Sequence, residues 1–313
     1  GWTTRRRLIR HDTTAVTIDG WTTDATRYIK IYTTAAARHD GKWNTGKYRL
    51  ELTNTAIITI VEDYARVEGL QIQITNNTTG SGRVGIDLSS VQGAVSDVRI
   101  SHSIIRGVIS GTTSGSGGIS PGASSINNVM KIWNNIVYDF YNQTTPTEAG
   151  QVAVYVGDGT VIAYNNTVFN SYIGIGSGSG SDALYLKNNL VQGDSQNASF
   201  TDYVNVSATS SANNISSDAT SPDTAFRSKI VAFVDATNKD FRLAAADTAA
   251  KNAGADLSAD ANLAVTTDVE GYLRPTGAGV VDIGADEEGN AAFVKMQAAA
   301  NNDNATWNYL DLD

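Results

Sequence analysis

The chain has 313 residues, no cysteine, four prolines, 18% charged residues and a net charge of −9. The missing cysteines exclude disulfide staples and thiolate metal sites, and the acidic balance argues against nucleic acid as the main partner. No apolar run reaches the length of a membrane span, and abundant Gly, Ser, Thr and Asn suit many short strands joined by turns.

The sequence opens on Gly1-Trp2 with neither an initiating Met nor a signal peptide, the expectation for a processed or trimmed product. Residues 1–56 read as N-terminal strands that begin the solenoid. Arg5-Arg6-Arg7 is a basic cluster, while Tyr28-Ile29-Lys30-Ile31-Tyr32 and Tyr48-Arg49-Leu50-Glu51-Leu52 alternate at the strand period. Between them, Arg38-His39-Asp40-Gly41-Lys42-Trp43 reads as a polar loop over the first coil. No amphipathic helix covers the N-terminal edge, so the first strands are expected to pair with another chain.

Residues 57–215 repeat one phrase: Val67-Glu68-Gly69-Leu70-Gln71-Ile72, Ile100-Ser101-His102-Ser103-Ile104-Ile105, Ile132-Trp133-Asn134-Asn135-Ile136-Val137, Ala163-Tyr164-Asn165-Asn166-Thr167-Val168 and Leu186-Lys187-Asn188-Asn189-Leu190-Val191, with a fainter Asn213-Asn214-Ile215. Their fourth positions, Leu70, Ser103, Asn135, Asn166, Asn189 and Asn214, are 33, 32, 31, 23 and 25 residues apart. Such periods mean stacked units. The lead-in residues alternate, as in Val98-Arg99-Ile100 and Met130-Lys131-Ile132, although Val161-Ile162-Ala163 is apolar throughout. Helical or leucine-rich repeats would need other spacings. The remaining fold is all-β: one right-handed parallel β-helix, with coils stacked at roughly 4.8 Å and irregular N- and C-terminal segments. Asn135, Asn166, Asn189 and Asn214 then form a structural ladder, because a bend between strands leaves backbone groups that an amide can satisfy.

Loops at 75–83, 110–128 and 141–150 are expected along one side of the solenoid. On the outward face, Arg66, Arg99, Lys131, Ile162 and Tyr185 form one column, and Glu68, Ser101, Trp133, Tyr164 and Lys187 the next. Stacked cations repel one another unless carboxylates or an anionic ligand meet them. With Trp133 and Tyr164 as an exposed aromatic pair, the face suits an acidic polysaccharide; the equal alternative is a surface covered by loops or by a neighbouring chain. The candidate binding residues are Arg66, Arg99, Lys131, Trp133, Tyr164, Tyr185 and Lys187.

Residues 216–288 read as closing coils and a C-terminal segment, and 289–313 as a polar tail whose Trp307 and Tyr309 suggest docking on this chain or another. Asp282 and Asp286 read as turn residues.

The repeated Ile-Trp-Asn-Asn-Ile-Val and Ala-Tyr-Asn-Asn-Thr-Val resemble phrases of the pectate-lyase-like right-handed parallel β-helix superfamily. Asp240-Phe241-Arg242-Leu243, Asn252-Ala253-Gly254-Ala255-Asp256, Asp268-Val269-Glu270-Gly271, Arg274-Pro275 and Val281-Asp282-Ile283-Gly284-Ala285 resemble the closing segment of secreted and phage-associated members. The resemblance spans about residues 57–288 and implies an extracellular, cell-surface or virion location. It leaves activity open, since the superfamily includes enzymes, tailspikes and adhesins.

The calcium-binding acidic motifs of its lyases and the Gly-His-Gly and Arg-Ile-Lys strings of its hydrolases do not occur here. The expectation is therefore a non-enzymatic scaffold without metal or cofactor, calcium having no motif, that joins copies of itself through its ends or tail and presents a carbohydrate- or partner-binding side face. The alternative is a polysaccharide lyase or glycoside hydrolase built around Arg66, Arg99, His102 and Tyr164.

Overall fold

Three strands per coil, each buried on its inward side, generate the architecture of the computed structural model, which describes residues 11–88, 91, 96–111, 113–120, 128–157, 159–177, 183–193, 199–277, 279–289 and 309–311. The strands form three long parallel sheets. Sheet 1 stacks Val16–Ile18, Ile58–Ile60, Val84–Asp87, Gly117–Ser120, Val152–Tyr155, Ile173–Gly176 and Thr201–Val204. Sheet 2 stacks Ile29–Tyr32, Ala65–Glu68, Ser96–Ser101, Asn128–Trp133, Thr160–Tyr164, Ala183–Lys187 and Ser210–Ala212, and the backbone of Tyr309–Asp311 pairs with its first strand. Sheet 3 runs from His11–Asp12 and Arg49–Thr53 through Gln71–Asn76, Ile104–Ile109, Ile136–Tyr138, Thr167–Phe169 and Leu190–Gln192 to Ile215–Ser216. The chain is thus an all-β parallel solenoid. Among the described residues the only helical element is a 3₁₀ turn, Thr224–Phe226, and no helix is long and apolar enough to cross a membrane.

Alternation places one apolar column of each sheet inside. In sheet 2 it is Ile31, Val67, Ile100, Ile132, Ala163 and Leu186, in register from coil to coil and all essentially buried. In sheet 3 it is Leu50, Ile72, Ile105, Val137, Val168 and Val191.

The corner between sheets 2 and 3 divides two tasks between successive residues. The third residue of each phrase adopts left-handed backbone: Gly69 (φ 74°), His102 (52°), Asn134 (53°), Asn165 (51°), Asn188 (54°) and Asn213 (57°). Asn tolerates this region better than other side chains. The fourth residue points inward and forms the ladder. Asn166 Oδ1 accepts from Asn135 N and Nδ2 (both 3.1 Å), while Asn166 Nδ2 donates to Asn189 Oδ1 (3.0 Å) and Ile132 O (2.9 Å). Asn189 repeats the pattern with Asn214 Oδ1 (2.9 Å). Asp223 terminates the ladder, accepting from Asn214 N (3.0 Å) and Nδ2 (2.7 Å); at the other end Asn135 Oδ1 takes the Ser103 N–H (3.0 Å).

Residues 229–287 run back over the outside of this corner as a strap. Phe241, Val269 and Ala285 pack on Ile104, Ile136 and Tyr138, while Val231, Leu243, Ala250 and Ile283 pack on Leu190 and Ile215. The outward column of left-handed residues holds it. Asn188 Nδ2 donates to Ala255 O and its Oδ1 accepts from Ala255 N (both 2.8 Å). Asn213 donates to Ala253 O (2.6 Å), Asn165 to Gly284 O (3.2 Å) and Asn134 to Thr267 O (2.6 Å). Buried Arg274 closes the strap on itself, donating to Gly284 O (2.8 Å), Ala285 O (2.9 Å) and Glu287 Oε2 (2.8 Å).

Candidate functional site

Both outward columns of sheet 2 exist in the expected register. Arg66, Arg99, Lys131, Ile162 and Tyr185 are aligned across successive strands, as are Glu68, Ser101, Trp133, Tyr164 and Lys187.

The two halves of this face differ in what lies over them. Toward the C-terminal coils, Leu257, Leu263 and Val265 of the strap pack onto Ile162 and Tyr164, with Trp133 and Tyr185 beside them. Tyr164 is wholly buried and Trp133 half-buried, so the expected exposed aromatic pair does not form. The reason is physical: an aromatic column next to Ile162 offers apolar area that the strap removes from water. Lys187 is also committed, pairing with Asp260 Oδ2 (2.6 Å) while its ammonium lies 5.4 Å from the centre of the Tyr164 ring. The Tyr164 hydroxyl donates to Asp260 Oδ1 (3.3 Å).

His102 is turned under the strap. Asn134 Nδ2 donates to its Nε2 (3.1 Å), Thr267 Oγ1 lies 3.1 Å from the same nitrogen, and Trp133 meets the ring edge-on at 6.1 Å. Burial pushes its pKa down to about 3, with Arg38 adding to the effect. The structure therefore does not bring His102 and Tyr164 to the Arg66–Arg99 side as an open catalytic group.

Toward the N-terminal coils, three cations converge on one carboxylate. Arg99 grips Asp97 with Nε (3.0 Å) and Nη2 (2.6 Å), Arg66 Nη2 lies 3.7 Å from Asp97 Oδ2, and Lys131 Nζ lies 4.0 Å from it. Arg66 also donates to the Asp97 carbonyl and stacks 4.3 Å over the ring of Tyr28. Burial opposes ionisation of Asp97, but the Arg99 hydrogen bonds and the charges of Arg66, Arg99 and Lys131 win and hold it below the usual carboxylate range. Burial and the neighbouring Arg99 charge pull Arg66 down to about 10, and burial lowers Lys131, with Arg99 and Arg66 adding to the fall. Among these four groups three positive charges share one negative charge, a local surplus. The Arg99 side chain is 36% exposed.

The sequence reading missed Asp97 and Tyr28. Asp97 had a signal, because strand alternation puts it on the face of Arg99, two residues on. Tyr28 had the same kind of signal, since the alternating run 28–32 puts it on the face of Lys30, the strand partner of Arg66. The segment 38–43 folds over the corner beside these coils: His39 Nε2 donates to His102 O (2.7 Å), Arg106 stacks 4.1 Å over Trp43, and Arg38 reaches Glu68 (3.4 Å).

Comparison with family models, curated proteins and solved structures returns no match for this chain.

Proposed function

We propose that the chain is a non-enzymatic binding scaffold, related in fold to the pectate-lyase-like superfamily, whose N-terminal half of sheet 2 binds an acidic polysaccharide outside the cell or on a virion. The observation that carries this reading is the convergence of Arg66, Arg99 and Lys131 on Asp97. Parallel strands space the residues of a column by roughly 4.8 Å along the solenoid. Arg99 is the cation that reaches solvent, Lys131 stands half-buried beside it, and Arg66 is buried, so Arg99 is the contact offered first to a ligand carboxylate. Two of the cations are stiffened before any ligand arrives, Arg66 by Tyr28 and Arg99 by its fork on Asp97, which lowers the ordering cost of binding.

Calorimetry with polygalacturonate and alginate tests the proposal. Binding should weaken as salt rises, and Arg99→Ala should reduce affinity by about twofold to fivefold, the loss of one partly exposed charge contact. The same mixtures should show no absorbance from unsaturated ends and no new reducing ends. Turnover that Arg99→Ala abolishes would overturn the reading, as would binding unaffected by joint Arg99→Ala and Lys131→Ala substitution.

A further inference from the structure

The two passes of the strap bring three carboxylates together. Asp268 and Glu270 sit in the turn 268–271, Asp286 lies on the returning pass, and one oxygen from each falls within 4.8 Å of the others. Val269 N donates to Ala285 O (2.8 Å), which fixes the passes side by side. Asp268 is fully buried. Its Oδ1 accepts from Glu270 N (3.0 Å) and Tyr272 N (2.8 Å), whereas its Oδ2 is buried with no hydrogen-bond partner. Asp286, also buried, accepts the Leu243 N–H through Oδ2 (2.7 Å).

A buried carboxylate oxygen without a donor is costly unless a proton or a cation meets it. Arg242 forks onto Asp240 (2.8 and 2.6 Å), Arg274 donates to Glu287 (2.8 Å), and Arg38, whose charge also acts on Asp268, reaches Glu68 (3.4 Å). The loop of residues 38–43 walls one side, since a Cβ on Gly41 would stand 2.8 Å from Glu270 Cγ.

We infer that Asp268, Glu270 and Asp286 form a site for a hard divalent cation, with calcium as the fitting ion. The donors are all oxygen, without the imidazole or thiolate that would favour zinc or copper, and carboxylates of differing reach suit the flexible coordination of calcium. Bound there, the ion ties the turn 268–271 to the returning pass and holds Val269 and Ala285 against the outside of sheet 3.

Titrating calcium chloride into chelator-stripped full-length chain tests the site. Calorimetry should show one ion per chain, and calcium at about 100 times its dissociation constant should raise the unfolding midpoint by about 5 °C. Asp268→Asn should weaken calcium binding at least about tenfold and remove the thermal increment. Should that variant fail to fold, Glu270→Gln at the half-buried rim is expected to weaken binding in the same direction. No heat and no thermal shift in the wild-type chain would overturn the inference, as would an undiminished shift in whichever variant folds.

Discussion

The two halves of sheet 2's outer face start from the same geometry and end in opposite conditions. Over Ile162, Tyr164 and Tyr185 the strap adds a layer, and the one cation there, Lys187, is neutralised by Asp260. Over Arg66, Arg99 and Lys131 the charges share Asp97, and Arg99 reaches solvent. A parallel solenoid fixes which residues share a column, but what lies over that column decides whether it works as core or as surface.

The largest expected effect lies in the covered half. Tyr164→Ala should cost about 3–5 kcal/mol in urea unfolding, the range for emptying a buried aromatic site, and a small effect would show that the strap packs loosely there. His102, at the border between the halves, tests burial through pH. Its folded pKa lies below its unfolded value, so below about 6.5 the unfolded chain takes up a proton that the folded chain refuses. Stability should therefore fall as pH drops from about 6.5 toward 3, by up to about 1.4 kcal/mol per pH unit from this group. The charged groups that act on the ring are Arg38, Glu68, Arg274 and Lys30. His102→Asn keeps a residue suited to left-handed backbone, and subtracting its stability–pH curve from that of the wild type isolates the histidine.

In the cationic half, Asp97→Asn should destabilise by about 1 kcal/mol, more at low salt, because three cations lose their shared partner. It should also tighten binding of an acidic polysaccharide, and a loss of affinity would contradict the surplus-charge argument. Arg99→Ala should change stability by no more than about 0.5 kcal/mol, so that its effect on binding is read without unfolding.

The solenoid was legible because coil stacking writes itself into sequence as a period, and the ladder amides Asn135, Asn166, Asn189 and Asn214 occupy one column as the repeat required. The columns of outward residues were legible for the same reason. The cover was not, because the strap meets the coils through contacts such as Asn165 with Gly284 and His102 with Thr267, which have no period. A trace of it was present all the same. Ile104-Ile105, Ile136-Val137-Tyr138, Leu190-Val191 and Val161-Ile162-Ala163 are apolar on both faces of their strands, the pattern of a sheet covered on both sides. The paired asparagines also held more than loop composition suggested, since the first of each pair faces the strap and only the second enters the ladder.

The return path of the strap imposes an order on synthesis. Each winding from Ile58 to Ser216 can settle on its predecessor as it leaves the ribosome, because its partners are already made. The outward amides of Asn134, Asn165 and Asn188 must instead stay hydrated until residues 255–284 emerge. The vectorial, coil-by-coil phase is therefore followed by late docking of the strap, with long sequence separation and a correspondingly slow closure.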